Sequence, residues 1–304
     1  MKKTILITGG SGLLAVNWAI QMRQKYHVVL LLNKRIISID GVKSKQAPLG
    51  SVDDVCSVLD DICPDIVIHT VGLTSVELCE SNPAKAYMLN TVIADYVAAA
   101  CSRYNIKMVH ISTDHLFSGE NALVDEQAIV QPRNEYGRTK AEAENRVLEV
   151  CPGALVIRTN FFAWGTTYRK SFSDMIINHL RANKEVKLFT DVFYTPILIE
   201  ALVAAVHELI AIKESGIFHI VGDERLSKYE FGVKVAEYFQ QTSNLLQPCL
   251  LADRQELVCR PFDMSLSNAK VCRVLGHKMG SVNEQLQKLY LQEKTDATQE
   301  VKAL

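Results

Sequence analysis

The chain has 304 residues, 48% of them hydrophobic and 22% charged, which suits one large α/β domain or a main domain carrying a second lobe. A net charge of -1 supplies no basic field to hold a phosphate backbone, which argues against nucleic acid as the main partner while leaving room for a small anionic ligand. No apolar run reaches the length of a membrane span, and Met1-Lys2-Lys3 leads into only a few apolar residues before Gly9, so a buried first strand in a cytosolic protein is expected.

Thr4 to Thr8 reads as the first strand and runs straight into Gly9-Gly10-Ser11-Gly12-Leu13-Leu14-Ala15, followed by a helical pattern over 13–25. The spacing is G-x-x-G-x-x-A. Gly9 would permit a tight turn, Gly12 would let the backbone approach a pyrophosphate, and Ala15 is small enough for close helix-on-strand packing. Gly9, Ser11, Gly12, Leu13 and Leu14 are therefore candidate contacts for phosphates at a helix N-terminus. A tight β–α turn without a ligand is the plain alternative. A second strand, Val28 to Leu32, ends at Asn33-Lys34-Arg35. An NAD site usually carries an acid at this strand end, whereas cations accommodate the 2′-phosphate of NADP, so NADP(H) is expected rather than NAD(H).

A helix over 52–63 precedes the strand Asp65 to Thr70, and Pro83 fits an early helical position behind Asn82 in a helix over 83–104. Next come the strand Lys107 to Ile111, the strand-end residues Ser112-Thr113-Asp114, a helix over 135–150 and the strand Ala154 to Ile157. These strands are nearly continuous Val/Ile/Leu, as parallel strands covered on both faces are. The order implies right-handed βαβ units and an α/β, Rossmann-type doubly wound parallel sheet.

Tyr136 and Lys140, four residues apart, share one face of the helix over 135–150. A tyrosine exchanging protons near pH 7 needs its anion stabilised, and lowering its pKa by about three units takes roughly 4 kcal/mol. Lys140 and a positive nicotinamide ring are expected to supply it, with Thr113 or Ser112 holding a carbonyl toward Tyr136.

Beyond about residue 160 the rhythm changes, with helical patterns near 171–182, 197–213, 227–241 and 267–275 and a short strand, Gly216 to Val221. This reads as a smaller C-terminal α/β substrate lobe, 161–185 and 216–292, closing over a main domain of 1–160. Residues 186–215 are expected to return to the main domain, and 293–304 to form a frayed polar tail. The eight cysteines form no C-x-x-C pair, so free thiols are expected and no metal site.

The glycine turn, PDIVIH with Val71-Gly72, TSVELCESNP, Asn90 in MLNT, STDHLFSG, PRNEYGRTKAEAE, Arg158 in VIRTN, TPIL, GIFHIVGDERLSKYEFG and RPFDMSLSNAK run along nearly the whole chain. Together they resemble the extended short-chain dehydrogenase/reductases, and among them the dTDP-4-dehydrorhamnose reductase family. The resemblance implies hydride transfer from NADPH to C4 of a nucleotide-linked 4-keto-6-deoxysugar. It assigns Tyr136 as proton donor, Lys140 to the nicotinamide ribose and Thr113 to the carbonyl. Val71, Gly72 and Asn90 fall on the cofactor side, and Arg260 falls to the substrate diphosphate.

Two departures stand out. The segment after the sixth strand reads RTNFFAWG, one residue longer than the family's RTSWVYG, so Phe161 or Trp164 becomes the aromatic on the sugar. Pro48-Leu49 stands where the family tends to place an Asp-hydrophobic pair beside adenine. The implied partners are a nucleotide-sugar substrate and, as one option, a second copy in a homodimer, with no nucleic acid and no membrane. A GDP- or UDP-sugar reductase or reductase–epimerase stays open. So does a non-catalytic NADP-binding regulatory subunit.

Overall fold

A computed structural model describes residues 2–304. Strands β1 (Thr4–Thr8), β2 (His27–Leu32), β3 (Lys43–Gln46), β4 (Ile66–His69), β5 (Lys107–Ile111) and β6 (Leu155–Arg158) alternate with helices along the first half of the chain. The helices are α1 (Leu13–Met22), α2 (Val52–Ile62), α3 (Val76–Ser81), α4 (Pro83–Tyr87), α5 (Ile93–Arg103) and α6 (Glu135–Val150). The second half carries the short strands β7 (Phe161–Phe162), β8 (Val186–Phe189), β9 (Phe193–Tyr194), β10 (Ile197–Leu198), β11 (Gly216–His219), β12 (Leu226–Ser227) and β13 (Leu246–Cys249). Helices α7 (Phe172–Arg181), α8 (Ile199–Ala211), α9 (Lys228–Tyr238), α10 (Ala269–Leu275), α11 (Val282–Gln292) and α12 (Asp296–Ala303) complete it.

Seven strands form one sheet in the order β11-β6-β5-β4-β1-β2-β3, every adjacent pair parallel. The strand order reverses between β1 and β4, which opens a crevice at their carboxyl ends. The expected α/β doubly wound sheet is therefore present. Side chains alternate between two cores. Ile5, Ile7, Ile68 and Val109 pack with α1 and α8 on one face, while Leu6, Val67, Met108 and Val156 pack with α2, α5 and α6 on the other.

The structure adds detail to the sequence reading and reverses three parts of it. β3, with the sequence KSKQ, escaped notice because it has no apolar residue; it is an exposed edge strand whose lysines discourage further pairing. The expected helix over 83–104 is present and runs through a π-turn at Met88–Val92, which buries Asn90 and Thr91. β11, assigned from sequence to the smaller lobe, is the seventh strand of the main sheet beside β6, while β8 pairs with β13 in the smaller lobe instead of returning to the main domain. Both reversals reflect partners distant in sequence, which local pattern does not encode. The C-terminal segment is not frayed. Helix α12 is capped by Thr295 and buries Val301 against the main core, while Glu300 accepts from Arg23 at 2.6 Å.

The smaller lobe has its own core, in which Trp164, Phe162, Phe231, Tyr194 and Leu286 are buried together. Glu144 on α6 and Arg158 on β6 form a buried pair at 2.7 Å, with side chains 3% and 2% exposed, and Arg158 Nη1 lies 3.3 Å from His219 Nε2 on β11. This ties α6 to the strands at the sheet edge. Removing one partner strands a buried charge, so Glu144→Ala should cost about 3–5 kcal/mol in urea unfolding. Replacing both, with Glu144→Leu and Arg158→Met, should cost clearly less; equal losses would show that the pair's charge is not the cause.

Candidate functional site

The glycine turn lies at the carboxyl end of β1, beside the crevice. Gly9 takes a φ of +70°, and a Cβ there would stand 3.0 Å from the Val71 amide nitrogen. The turn closes through Gly12 N–H to Gly9 O at 2.8 Å, and Gly12 opens α1 with no side-chain cap and no acid in its first turn. Ser11, Leu13 and Leu14 therefore surround a helix N-terminus suited to an anion.

Asn33, Lys34 and Arg35 follow β2 as exposed residues, and the Arg35 guanidinium lies 3.9 Å from the centroid of the Tyr168 ring. Tyr168 donates its hydroxyl to Ser11 O at 3.0 Å, so the strand-end cation is tethered to the glycine turn. Sequence reasoning missed Tyr168, because its only sign is a lone aromatic in a polar loop over 165–171. Pro48-Leu49 lies past β3, where Leu49 packs against the α2–α5 core.

Val71 and Gly72 line the loop after β4, and Asn90 governs that loop. Its Oδ1 accepts from Leu73 N–H at 2.6 Å and its Nδ2 donates to Leu73 O at 3.2 Å and to Thr139 Oγ1 at 3.0 Å. Asn90 is fully buried with its amide spent on the chain. In this structure Asn90 braces the loop against α6.

Tyr136, Lys140 and Thr113 come together at the carboxyl end of β5. Asn134 caps α6 by accepting from Gly137 N–H at 2.9 Å, and its Nδ2 donates to Cys259 O at 3.0 Å. The Thr113 hydroxyl donates to Asp114 Oδ1 at 3.3 Å and accepts from His115 N–H at 3.3 Å, and the His115 ring meets the Tyr136 ring edge-on at 5.5 Å between centroids. The Lys140 ammonium donates to Ile111 O at 2.7 Å and lies 3.2 Å from His110 Nε2. Ser112 is buried beside them, its hydroxyl without a partner among the described residues.

Burial sets the protonation here. It lowers Lys140 to about 8, against the raising influence of Glu144. Burial also raises Tyr136 to about 12 against the lowering influence of the Thr113 hydroxyl, with the Asp114 charge adding to the rise. The sequence expectation of a tyrosine pulled toward neutrality is not met by the chain alone: desolvation of the phenolate is the largest influence on it.

Two of the candidate substrate residues have partners within the chain. Trp164 is 2% exposed, its indole N–H donates to Leu289 O at 2.9 Å, and its ring packs on Phe239, so it belongs to the smaller lobe's core. Phe161, half-buried in β7, remains available as the aromatic. Arg260 is ion-paired with Glu77 of α3, while its Nε is buried without a partner among the described residues.

Gly137 makes the approach of α6 possible, and sequence reasoning passed over it inside YGRTK. A Cβ there would fall 2.3 Å from His115 O and 2.9 Å from Pro132 Cβ. Gly137→Ala should therefore push α6 off the strand-end loop and destabilise the fold by about 1–3 kcal/mol, read from the urea midpoint. A midpoint equal to the parent's would refute the close contact.

The family model described as the RmlD substrate binding domain matches residues 1–295. A probable low-salt glycan biosynthesis reductase, Agl14 of Haloferax volcanii, is 29% identical over 284 residues, covering 92% of this chain and 95% of the relative. Methionine adenosyltransferase 2 subunit beta of Bos taurus is 28% identical over 255 residues, 81% of this chain and 75% of the relative. The solved dTDP-4-dehydrorhamnose reductase of Bacillus anthracis, a complex with NADP, superposes with a TM-score of 0.85 at 24% identity over 96% of this chain and all of that one. A family model spanning nearly the whole chain, on a seven-stranded parallel sheet, makes this protein a member of the RmlD family of extended short-chain dehydrogenase/reductases.

Proposed function

We propose that the chain reduces the 4-keto group of a nucleotide-linked 4-keto-6-deoxysugar, with NADPH as the reductant. The observation that carries this is the meeting of Thr113, Tyr136 and Lys140 at the end of β5, across the crevice from the glycine turn. The reductase relatives support the reaction class.

The residues fit the dinucleotide. Gly9 and Gly12 leave a close backbone surface where a Cβ would be tightly crowded, and α1 points uncapped N–H groups out of it. Arg35, held on Tyr168, and Lys34 offer positive charge for a 2′-phosphate. When bound, NADPH would supply the hydride.

The protein's own part is to orient a carbonyl and give it a proton. Thr113 donates to the carbonyl oxygen, and Tyr136 delivers its phenolic proton to the alkoxide that forms there. Reduction needs this phenol protonated, and a pKa of about 12 in the free chain keeps it so. The Lys140 ammonium favours the tyrosinate left behind and can reach a ribose hydroxyl. Phe161 and Arg260 lie on the substrate side; for Arg260 to hold a diphosphate, its bond to Glu77 must loosen.

The second reading, a regulatory subunit that binds NADP without turnover, is favoured by the likeness to methionine adenosyltransferase 2 subunit beta. Turnover separates the two. With a panel of nucleotide-linked 4-keto sugars, NADPH oxidation should be seen, and Tyr136→Phe should lower kcat by about 10²–10⁴-fold with NADPH affinity unchanged. No oxidation across the panel would leave the regulatory reading. Arg35→Glu should weaken NADPH binding more than NADH binding; equal effects would count against the 2′-phosphate contact.

The pH dependence has a definite sign. Lys140 carries its proton below about 8 and loses it above, so NADPH-dependent reduction should decline as pH rises through that value. A rate that keeps rising to pH 10 would contradict a role for charged Lys140.

A further inference from the structure

On the face of the sheet covered by α5 and α6, three polar residues stand side by side where apolar residues would be expected. Thr8 of β1 faces His69 of β4, and His69 faces His110 of β5, each in direct parallel register. Both histidines are fully buried, and Thr8 is 1% exposed. The Thr8 hydroxyl lies 2.9 Å from His69 Nδ1, and the two imidazoles stack with centroids 5.5 Å apart. His69 Nε2 and His110 Nδ1 have no partner among the described residues. An unpaired buried polar atom is destabilising, so Val or Leu at these positions would serve a merely structural strand better. The row ends on Lys140, whose Nζ lies 3.2 Å from His110 Nε2.

We propose that His110 is a positioning residue for Lys140, accepting one ammonium N–H through Nε2 and so directing the amine toward the bound dinucleotide. An ammonium has three N–H donors in tetrahedral array. Ile111 O takes one and His110 Nε2 takes another, both presented by β5. With two donors fixed to one rigid strand, the direction of the third is set by geometry, and it is the one left for a ligand. The acceptor role requires a neutral His110 with its ring proton on Nδ1. Burial and the Lys140 charge both hold His110 well below its ordinary pKa, which keeps it neutral. The charged or titratable groups facing the pair are His69 from β4, itself lowered to about 3 by burial, and Glu144 from α6, whose charge favours the ammonium.

The inference rests on Lys140 serving the dinucleotide, and the test separates the two ideas. His110→Leu removes the acceptor at similar volume, whereas the side-chain carbonyl of His110→Gln can reach the position of Nε2. NADPH affinity is followed by fluorescence titration from pH 6 to 10 for the full chain and each variant, together with kcat on a dTDP-linked 4-keto-6-deoxyhexose. Losing a hydrogen bond to the charged form lowers the amine's pKa. In His110→Leu, the alkaline loss of NADPH affinity should therefore move down by about one pH unit, and kcat should fall about 10- to 100-fold through misplacement of the amine. His110→Gln should recover both to within about threefold.

A His110→Leu variant that melts like the parent and keeps its pH profile and kcat overturns the proposal. So does a folded His110→Gln as impaired as the leucine variant. If His110→Leu does not fold, His110→Gln decides, because parent-like binding, pH profile and turnover support an acceptor role and their loss refutes it. Lys140→Met is the separate control: unchanged NADPH affinity and turnover there would remove the reading on which the proposal stands. The binding arm needs no sugar substrate, so it stands even if reduction is not found.

Discussion

How closely α6 can lie against the end of β5 governs everything at the site. Gly137 has no Cβ, and the space a Cβ would take is occupied by His115 O. One turn later, Lys140 reaches Ile111 O, and one turn beyond that Glu144 reaches Arg158 on β6. Three successive turns of one helix thus make a steric contact, a charge-assisted hydrogen bond and a buried ion pair with neighbouring strands. Such contacts leave little freedom to slide or rotate, which is what holding two reacting groups in register demands. Asn90 and Thr91, brought inward by the π-turn, hold the same helix from the α5 side through Thr139.

That closeness also sets the electrostatics. Burying Tyr136 and Lys140 disfavours both charged forms, so the phenol rises and the amine falls. In the proposed chemistry the two shifts are compatible: a proton donor must arrive protonated, and the amine must keep its charge only near neutral pH. The crevice where the sheet order reverses places the glycine turn within the same site. The contact of Arg35 with Tyr168, and of Tyr168 with Ser11, then connects a cation beyond β2 to that turn.

The site was legible in part. The glycine turn, Lys34-Arg35 and the Tyr136–Lys140 spacing could be read because each is a local pattern whose geometry follows from a few adjacent dihedrals. The partners within the chain of Trp164, Asn90 and Arg260 were not legible, for one shared reason. Whether a side chain meets a ligand or another residue depends on what lies opposite it, and Leu289, Leu73 and Glu77 all lie outside the local pattern of the residues they meet. The partners of His110 were hidden in the same way, since VHIS reads as strand whether or not an amine sits against the histidine.

By itself, then, the sequence determined the alternation of apolar strands and amphipathic helices, the doubly wound sheet this requires, and the tight turn opening α1. These follow from side-chain periodicity and backbone sterics, which act over a few residues. Only the tertiary structure decided that β11 joins the main sheet while β8 leaves it, and that α12 docks on the core instead of fraying. It alone decided that the Tyr136 phenol rises to about 12. Those outcomes come from burial and from long-range pairing, and neither exists until the chain has closed on itself.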